Sequence, residues 1–191
     1  MRRHALTLCF LLLLAGRALA AGGPARSPTD GTVRVGDMAP GFRLAAMDGT
    51  ALDLSERLGR GRPVLLVFWS YFCFPCQREM PLVAGMAREL GDRVDVLGIC
   101  LDGPQYDDRV LPFLRENRIT FPNAYDRRNQ TFFEVAERYG VFGTPTFFLL
   151  DEHGRVRFIH LGQLPPGALR QMVEAAGEAA FCPDITPPPR P

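Results

Sequence analysis

The chain has 191 residues, of which 47% are hydrophobic and 23% charged, the composition of a globular protein with one substantial core. Its formal net charge is +1, and all 22 basic residues are arginine. The near balance argues against a basic face for nucleic acid or acidic lipid, and the absence of lysine excludes covalent chemistry by a lysine amine.

The first 20 residues read as a secretory signal peptide. Met1-Arg2-Arg3-His4 is a basic start, residues 5–15 are apolar, and Ala18-Leu19-Ala20 is a small-x-small cleavage site. The apolar stretch falls short of the about 20 residues that a spanning helix needs. A retained N-terminal anchor is the alternative. Removing Arg2, Arg3 and Arg17 takes three positive charges from +1 and leaves −2. The mature protein is thus expected in the periplasm or otherwise outside the cytoplasm, where a disulfide persists. Residues 21–34, rich in Gly, Pro, Ser and Thr, read as a flexible linker.

Phe42-Arg43-Leu44-Ala45-Ala46 and Thr50-Ala51-Leu52-Asp53 flank Asp48-Gly49, a hairpin signal. The continuous apolar run Val64–Trp69 predicts a central strand covered on both faces. Met80, Val83, Ala87 and Leu90 recur at helical spacing up to Gly91, with a kink expected at Pro81. A strand is predicted over residues 94–101, a short amphipathic helix around Val110 and Leu114, and a minor extended piece over residues 121–125. Residues 131–139 predict a helix ending at Gly140. Strands over residues 146–150 and 156–161 meet at Glu152-His153-Gly154, and residues 164–180 predict a closing helix. Residues 181–191 form a proline-rich tail.

The chemistry centres on Cys73-Phe74-Pro75-Cys76, placed directly after the central strand where a helix begins. Two thiols at this spacing can close a reversible disulfide. The unpaired N–H groups and positive dipole end of the helix favour a thiolate on the first of them. Cys73 is the expected nucleophile, and Cys76, one turn inside and more buried, the resolving thiol. Burial raises a thiol's pKa, so the resolving step needs a nearby base. Glu79 shares the helical face of Cys76; by spacing it is either that base or an exposed carboxylate near the helix start. Cys100 reads as a small buried hydrophobe, and pairing of Cys100 with Cys182 is not expected.

Residues 68–76, Phe-Trp-Ser-Tyr-Phe-Cys-Phe-Pro-Cys, followed by Glu79-Met80-Pro81 and later by Gly143-Thr144-Pro145-Thr146, resemble the thioredoxin-like thiol-disulfide oxidoreductases of the bacterial envelope, in particular the TlpA and ResA group. The resemblance covers residues 35–180. It implies a thioredoxin-like α/β three-layer sandwich, with a central mixed sheet flanked by helices and an added N-terminal β-hairpin. It implies Cys73, Cys76 and Glu79 as catalytic residues, with Pro145 as a cis-proline facing the disulfide. It also implies that Trp69, Phe72, Phe74, Pro75, Thr144 and Pro145 contact substrate. No cofactor or metal is implied. The implied partners are exported cysteine-containing proteins, as in cytochrome c maturation or oxidase assembly, with a membrane thiol carrier as electron donor. Phe72 is a departure, because tryptophan often stands before the first cysteine in this family.

Two rivals compete. A thiol peroxidase of the peroxiredoxin kind would use a Ser or Thr three residues before its cysteine, where Ser70 stands, but the proline of that pattern is absent. A Cu(I)-binding assembly factor would use both thiolates as soft ligands and would need His160 as a third.

Overall fold

The computed structural model describes residues 32–128, 132–165 and 167–177. The expected signal peptide, most of the expected linker, Thr131, Cys182 and the proline-rich tail lie outside the described residues.

The chain opens with β1 (Arg43–Ala45) and β2 (Ala51–Asp53), an antiparallel hairpin in which Leu44 faces Leu52. Its turn follows from local chemistry: the Asp48 carboxylate accepts from the Thr50 N–H and hydroxyl, and Gly49 takes a φ of 85°. Asp53 then caps a one-turn helix, α1 (Leu54–Leu58), through the Ser55 N–H. That helix is too short to show a period in the sequence.

There follow β3 (Val64–Trp69), α2 (Phe74–Leu90), β4 (Asp95–Cys100), α3 (Asp107–Glu116), β5 (Asn123–Tyr125), α4 (Glu134–Arg138), β6 (Thr146–Leu150), β7 (Val156–Leu161) and α5 (Ala168–Gly177). The main sheet has the order β5-β4-β3-β6-β7. β3, β4 and β5 are parallel; β6 and β7 run antiparallel to their neighbours. α2 continues through Pro81 and stops at Gly91, whose φ is 54°.

The six buried residues of β3 alternate between two cores. Val64, Leu66 and Phe68 face Leu44, Leu52, Leu54 and Tyr139, contributed by the hairpin, α1 and the end of α4. Leu65, Val67 and Trp69 face Met80, Val83, Val110, Leu114, Leu169 and Val173 on α2, α3 and α5. This is the three-layer α/β sandwich with a mixed sheet and an added hairpin that the sequence led one to expect.

Boundaries differ at three places. The packed fold reaches back to Val33, which is buried in the first core, two residues inside the predicted linker. The fourth helix starts at Glu134 rather than at 131, because Phe133 is extended and bridges to Arg128. Its free N–H groups at Val135 and Ala136 are satisfied by Asp126, a buried carboxylate just past β5 that no local capping pattern would reveal. The last helix starts at Ala168, because Gly167 before it takes a φ of 78°, outside the helical region.

Trp69 is wholly buried, and its indole Nε1 donates to Asn123 Oδ1 at 2.9 Å. The Asn123 amide in turn donates to the Phe121 carbonyl. A Cβ at Gly98 would meet Asn123 Oδ1 at 1.9 Å, so a glycine is needed where these strands pair. Gly98→Ala is expected to break the Trp69 bond and to lower stability by about 1–3 kcal/mol in urea unfolding. An unchanged midpoint would show that Asn123 can move aside freely.

Candidate active site

Cys73 is the N-cap of α2, in extended backbone (φ −91°, ψ 106°), with its sulfur 3.2 Å from the Cys76 N–H that donates to it. The two cysteines form a disulfide across a Cα–Cα distance of 5.2 Å. Cys73 is partly exposed and Cys76 wholly buried. The difference follows from the helix: the cap residue stands at its mouth, and three residues on the chain has turned toward the sheet.

The segment leading to Cys73 is held by Asp102, just past the end of β4. Its carboxylate accepts from the Ser70 hydroxyl at 2.7 Å and the Tyr71 N–H at 2.6 Å, and the Cys100 thiol lies 3.3 Å away. From the other side the Gln77 amide donates to the Tyr71 carbonyl at 2.6 Å. Asp102 and Gln77 were missed by sequence reading. The signal for Asp102 was its place at the carboxyl end of a parallel strand, where α/β sheets open toward ligands; Gln77 offered none beyond lying next to Cys76.

The remaining sequence-predicted residues separate into a rim and a floor. Phe72 is 56% exposed, its ring edge-on to Tyr71 and Tyr106. Phe74 is 68% exposed, and Pro75 is exposed beside it. Phe72 also borders a cleft of about 810 Å³ with Tyr106, Asp102 and Tyr125. The Thr144–Pro145 peptide is cis, and the Thr144 carbonyl lies 3.3 Å from Cys73 Sγ. Trp69 does not belong to the rim. With no exposed surface and its N–H satisfied by Asn123, it supports the strand end from below rather than meeting a substrate.

Glu79 is 4% exposed, which removes the reading of it as a surface carboxylate. One turn beyond Cys76, its Oε1 accepts from the Leu164 N–H at 3.3 Å. Burial pushes its pKa above the ordinary carboxylate range, an effect partly offset by the Leu164 N–H, by His160 and by the Gln163 side chain. Cys100 is a buried free thiol, as expected; desolvation first, then the Asp102 charge, pushes its pKa far up and leaves it inert. Among the described residues no three His, Cys, Asp or Glu side chains converge as a metal-ligand set.

The profile of the AhpC/TSA family matches residues 35–159. The chain belongs to that family. Among its relatives, the thiol-disulfide oxidoreductase ResA of Geobacillus thermodenitrificans is 34% identical over 144 residues, covering 75% of this chain and 78% of ResA. The thioredoxin-like protein YneN of Bacillus subtilis is 28% identical over 143 residues, covering 74% and 80%. A crystal structure described as a thiol:disulfide interchange protein DsbE from Chlorobium tepidum superposes with a TM-score of 0.65 at 32% identity, over 76% of this chain and 99% of that one. With the Cys73–Cys76 disulfide at the mouth of α2, the chain is a thioredoxin-like thiol-disulfide oxidoreductase.

The burial of Glu79 has a pH signature. A carboxyl whose folded pKa is raised stabilises the fold most at low pH, and that contribution is lost as pH rises through the folded pKa. Glu79→Gln is therefore expected to match the parent's stability below about pH 4 and to exceed it near neutrality. Urea unfolding at the two pH values reads the difference. A variant less stable near neutrality would contradict the desolvation argument.

Proposed function

We propose that this protein is an extracytoplasmic dithiol reductase that reduces disulfides in exported cysteine-containing proteins. The observation that carries the reading is the asymmetry of the pair: a partly exposed Cys73 at a helix cap, joined to a fully buried Cys76 with a desolvated carboxylate one turn further on.

In the reduced protein the Cys73 thiolate attacks one sulfur of the client disulfide. A mixed disulfide forms, and the client's second sulfur leaves as a thiolate that takes a proton from water. Glu79 then accepts the proton of the Cys76 thiol, and the Cys76 thiolate attacks Cys73 Sγ. The Cys73–Cys76 bond forms as the client's first sulfur departs. Two electrons have passed to the client, and a membrane thiol carrier then supplies two more to the Cys73–Cys76 disulfide by the same exchange in reverse, its own dithiol becoming a disulfide.

Docking is assigned to Phe72, Phe74, Pro75, Thr144 and Pro145. An extended client segment meets the Thr144 backbone in β-like fashion, while the exposed rings take the side chains that flank its cysteine. The reducing direction rests on chemistry. Phe74 and Pro75 supply no positive charge between the cysteines, so the Cys73 thiolate is not stabilised to the degree that makes a strong oxidant. The basic, then apolar, N-terminal sequence supports export, and among the described residues no helix is long and apolar enough to cross a membrane.

The rivals lose specific support. Ser70, which a peroxidase would use beside its cysteine, donates to Asp102 and accepts from the Phe72 N–H. His160, which a copper site would need, bonds to the Gln163 carbonyl.

Cys76→Ser expressed in the native envelope is expected to accumulate mixed disulfides between Cys73 and exported proteins, and Cys73→Ser to accumulate none. Non-reducing electrophoresis followed by mass spectrometry reads both. A folded Cys76→Ser protein that captures nothing would contradict the assignment, and one that consumes hydrogen peroxide catalytically would favour the peroxidase.

A further inference from the structure

One half-buried side chain close to the active site has no part in the exchange just described. His160 lies on β7, opposite Phe147, with its ring stacked at 6.0 Å on Phe158. Its Nε2 is 2.9 Å from the Gln163 carbonyl oxygen. A carbonyl can only accept, so Nε2 carries the proton of that bond.

The Gln163 carbonyl and the Leu164 N–H belong to one peptide plane. Its oxygen end is held by His160, and its N–H end donates to Glu79 Oε1 at 3.3 Å. A hydrogen bond accepted at the oxygen polarises the N–H of the same amide and fixes the plane that both ends share. The Gln163 side chain also favours the ionised form of the Glu79 carboxylate. The segment starts at Gly162, whose φ is 96° and whose N–H donates to the Pro145 carbonyl, so it is tied to the cis-proline loop as well. Three residues thus join the floor of the docking site, the imidazole and the buried carboxylate.

We propose that His160 is a positioning residue for Glu79: through the Gln163–Leu164 peptide it aims and strengthens the N–H that holds the carboxylate, and so sets the pH at which Glu79 accepts the Cys76 proton. The inference rests on the reading of Glu79 as the base of the resolving step. The groups around Glu79 are few. Cys76 precedes it on α2, His160 faces it from β7, and the Gln163 and Leu164 donors come from the following loop. Glu89 on α2 and Arg170 on α5 border the same cleft of about 510 Å³ and are paired with each other. Among the described residues no other charged side chain lines that cleft.

The resolving step can be isolated with 5,5′-dithiobis(2-nitrobenzoate). Cys73 of the reduced protein attacks the reagent and releases one thionitrobenzoate, leaving the other bound to Cys73 as a mixed disulfide. Cys76, its proton passed to Glu79, then attacks Cys73 Sγ and releases the second. Stopped-flow absorbance gives the rate of that second release against pH.

In the parent protein the rate should break at the titration of Glu79, and Glu79→Gln should lose the break and fall about tenfold or more. His160→Phe keeps the ring packing but removes the donor. Its break should remain and move to higher pH by about half a unit to one unit, as expected for loss of a hydrogen bond to the ionised form. His160→Gln, which keeps an N–H, should move it less. His160→Leu, which also removes the donor, should shift the break in the same direction and serves if His160→Phe does not fold. In a Glu79→Gln background the His160 substitution should change nothing further.

An unmoved break in both His160→Phe and His160→Leu would overturn the role of His160. So would an equal slowing by His160→Phe with and without Glu79. A parent-like profile in Glu79→Gln would instead overturn the assignment of the base, and the role of His160 with it.

Discussion

Everything at this site depends on the turn from β3 into α2. The strand ends in a wholly buried Trp69, and four residues later the chain begins a helix whose cap is a cysteine. Because a helix rotates its side chains about 100° per residue, one sulfur stands at the mouth while its partner, one turn in, is packed among Met80, Val83 and Trp69. The backbone N–H groups at that mouth lack helical partners, and one of them, at Cys76, donates to Cys73 Sγ. The same short turn therefore produces both an accessible sulfur and a protected one. A disulfide exchanger needs both, the first to attack clients and the second to be withheld until a client is bound.

The surroundings hold that turn from several directions. Asp102 grips the Ser70–Tyr71 segment from the end of β4, Gln77 grips it from α2, and the Thr144 carbonyl closes over Cys73 from the loop before β6. Asp102 and Thr144 lie 31 and 71 positions from the residues they contact, and the mixed sheet brings them to one end. The clefts follow from this convergence: one lies beside Phe72 above β4 and β5, the other beside Glu79 between α2 and α5. The exposed Phe72 and Phe74 are the cost of the arrangement, apolar surface left in water at the entrance.

Much of this was legible in the residues. The run Val64–Trp69, the Asp48-Gly49 turn and the Met80 to Leu90 period are local signals, and their elements formed where expected. The cysteine pair announced its chemistry by spacing and by its place behind a strand. What could not be read were contacts made across the fold. Whether Glu79 was buried depended on the loop after β7, which covers it with the Leu164 N–H. The start of α4 depended on Asp126, and the interior position of Trp69 on Asn123. In each case the polar partner lies outside the element it serves, where no local periodicity or capping pattern points to it.

The central claim is the division of the pair into an accessible and a protected sulfur. Its most direct measurement is brief treatment of the dithiothreitol-reduced, folded protein with iodoacetamide near neutral pH, followed by peptide mass mapping. The account predicts carbamidomethylation of Cys73 and not of Cys76 or Cys100, which react only after denaturation. Modification of Cys76 at a rate comparable to Cys73, or an unreactive Cys73 in the folded protein, would contradict it.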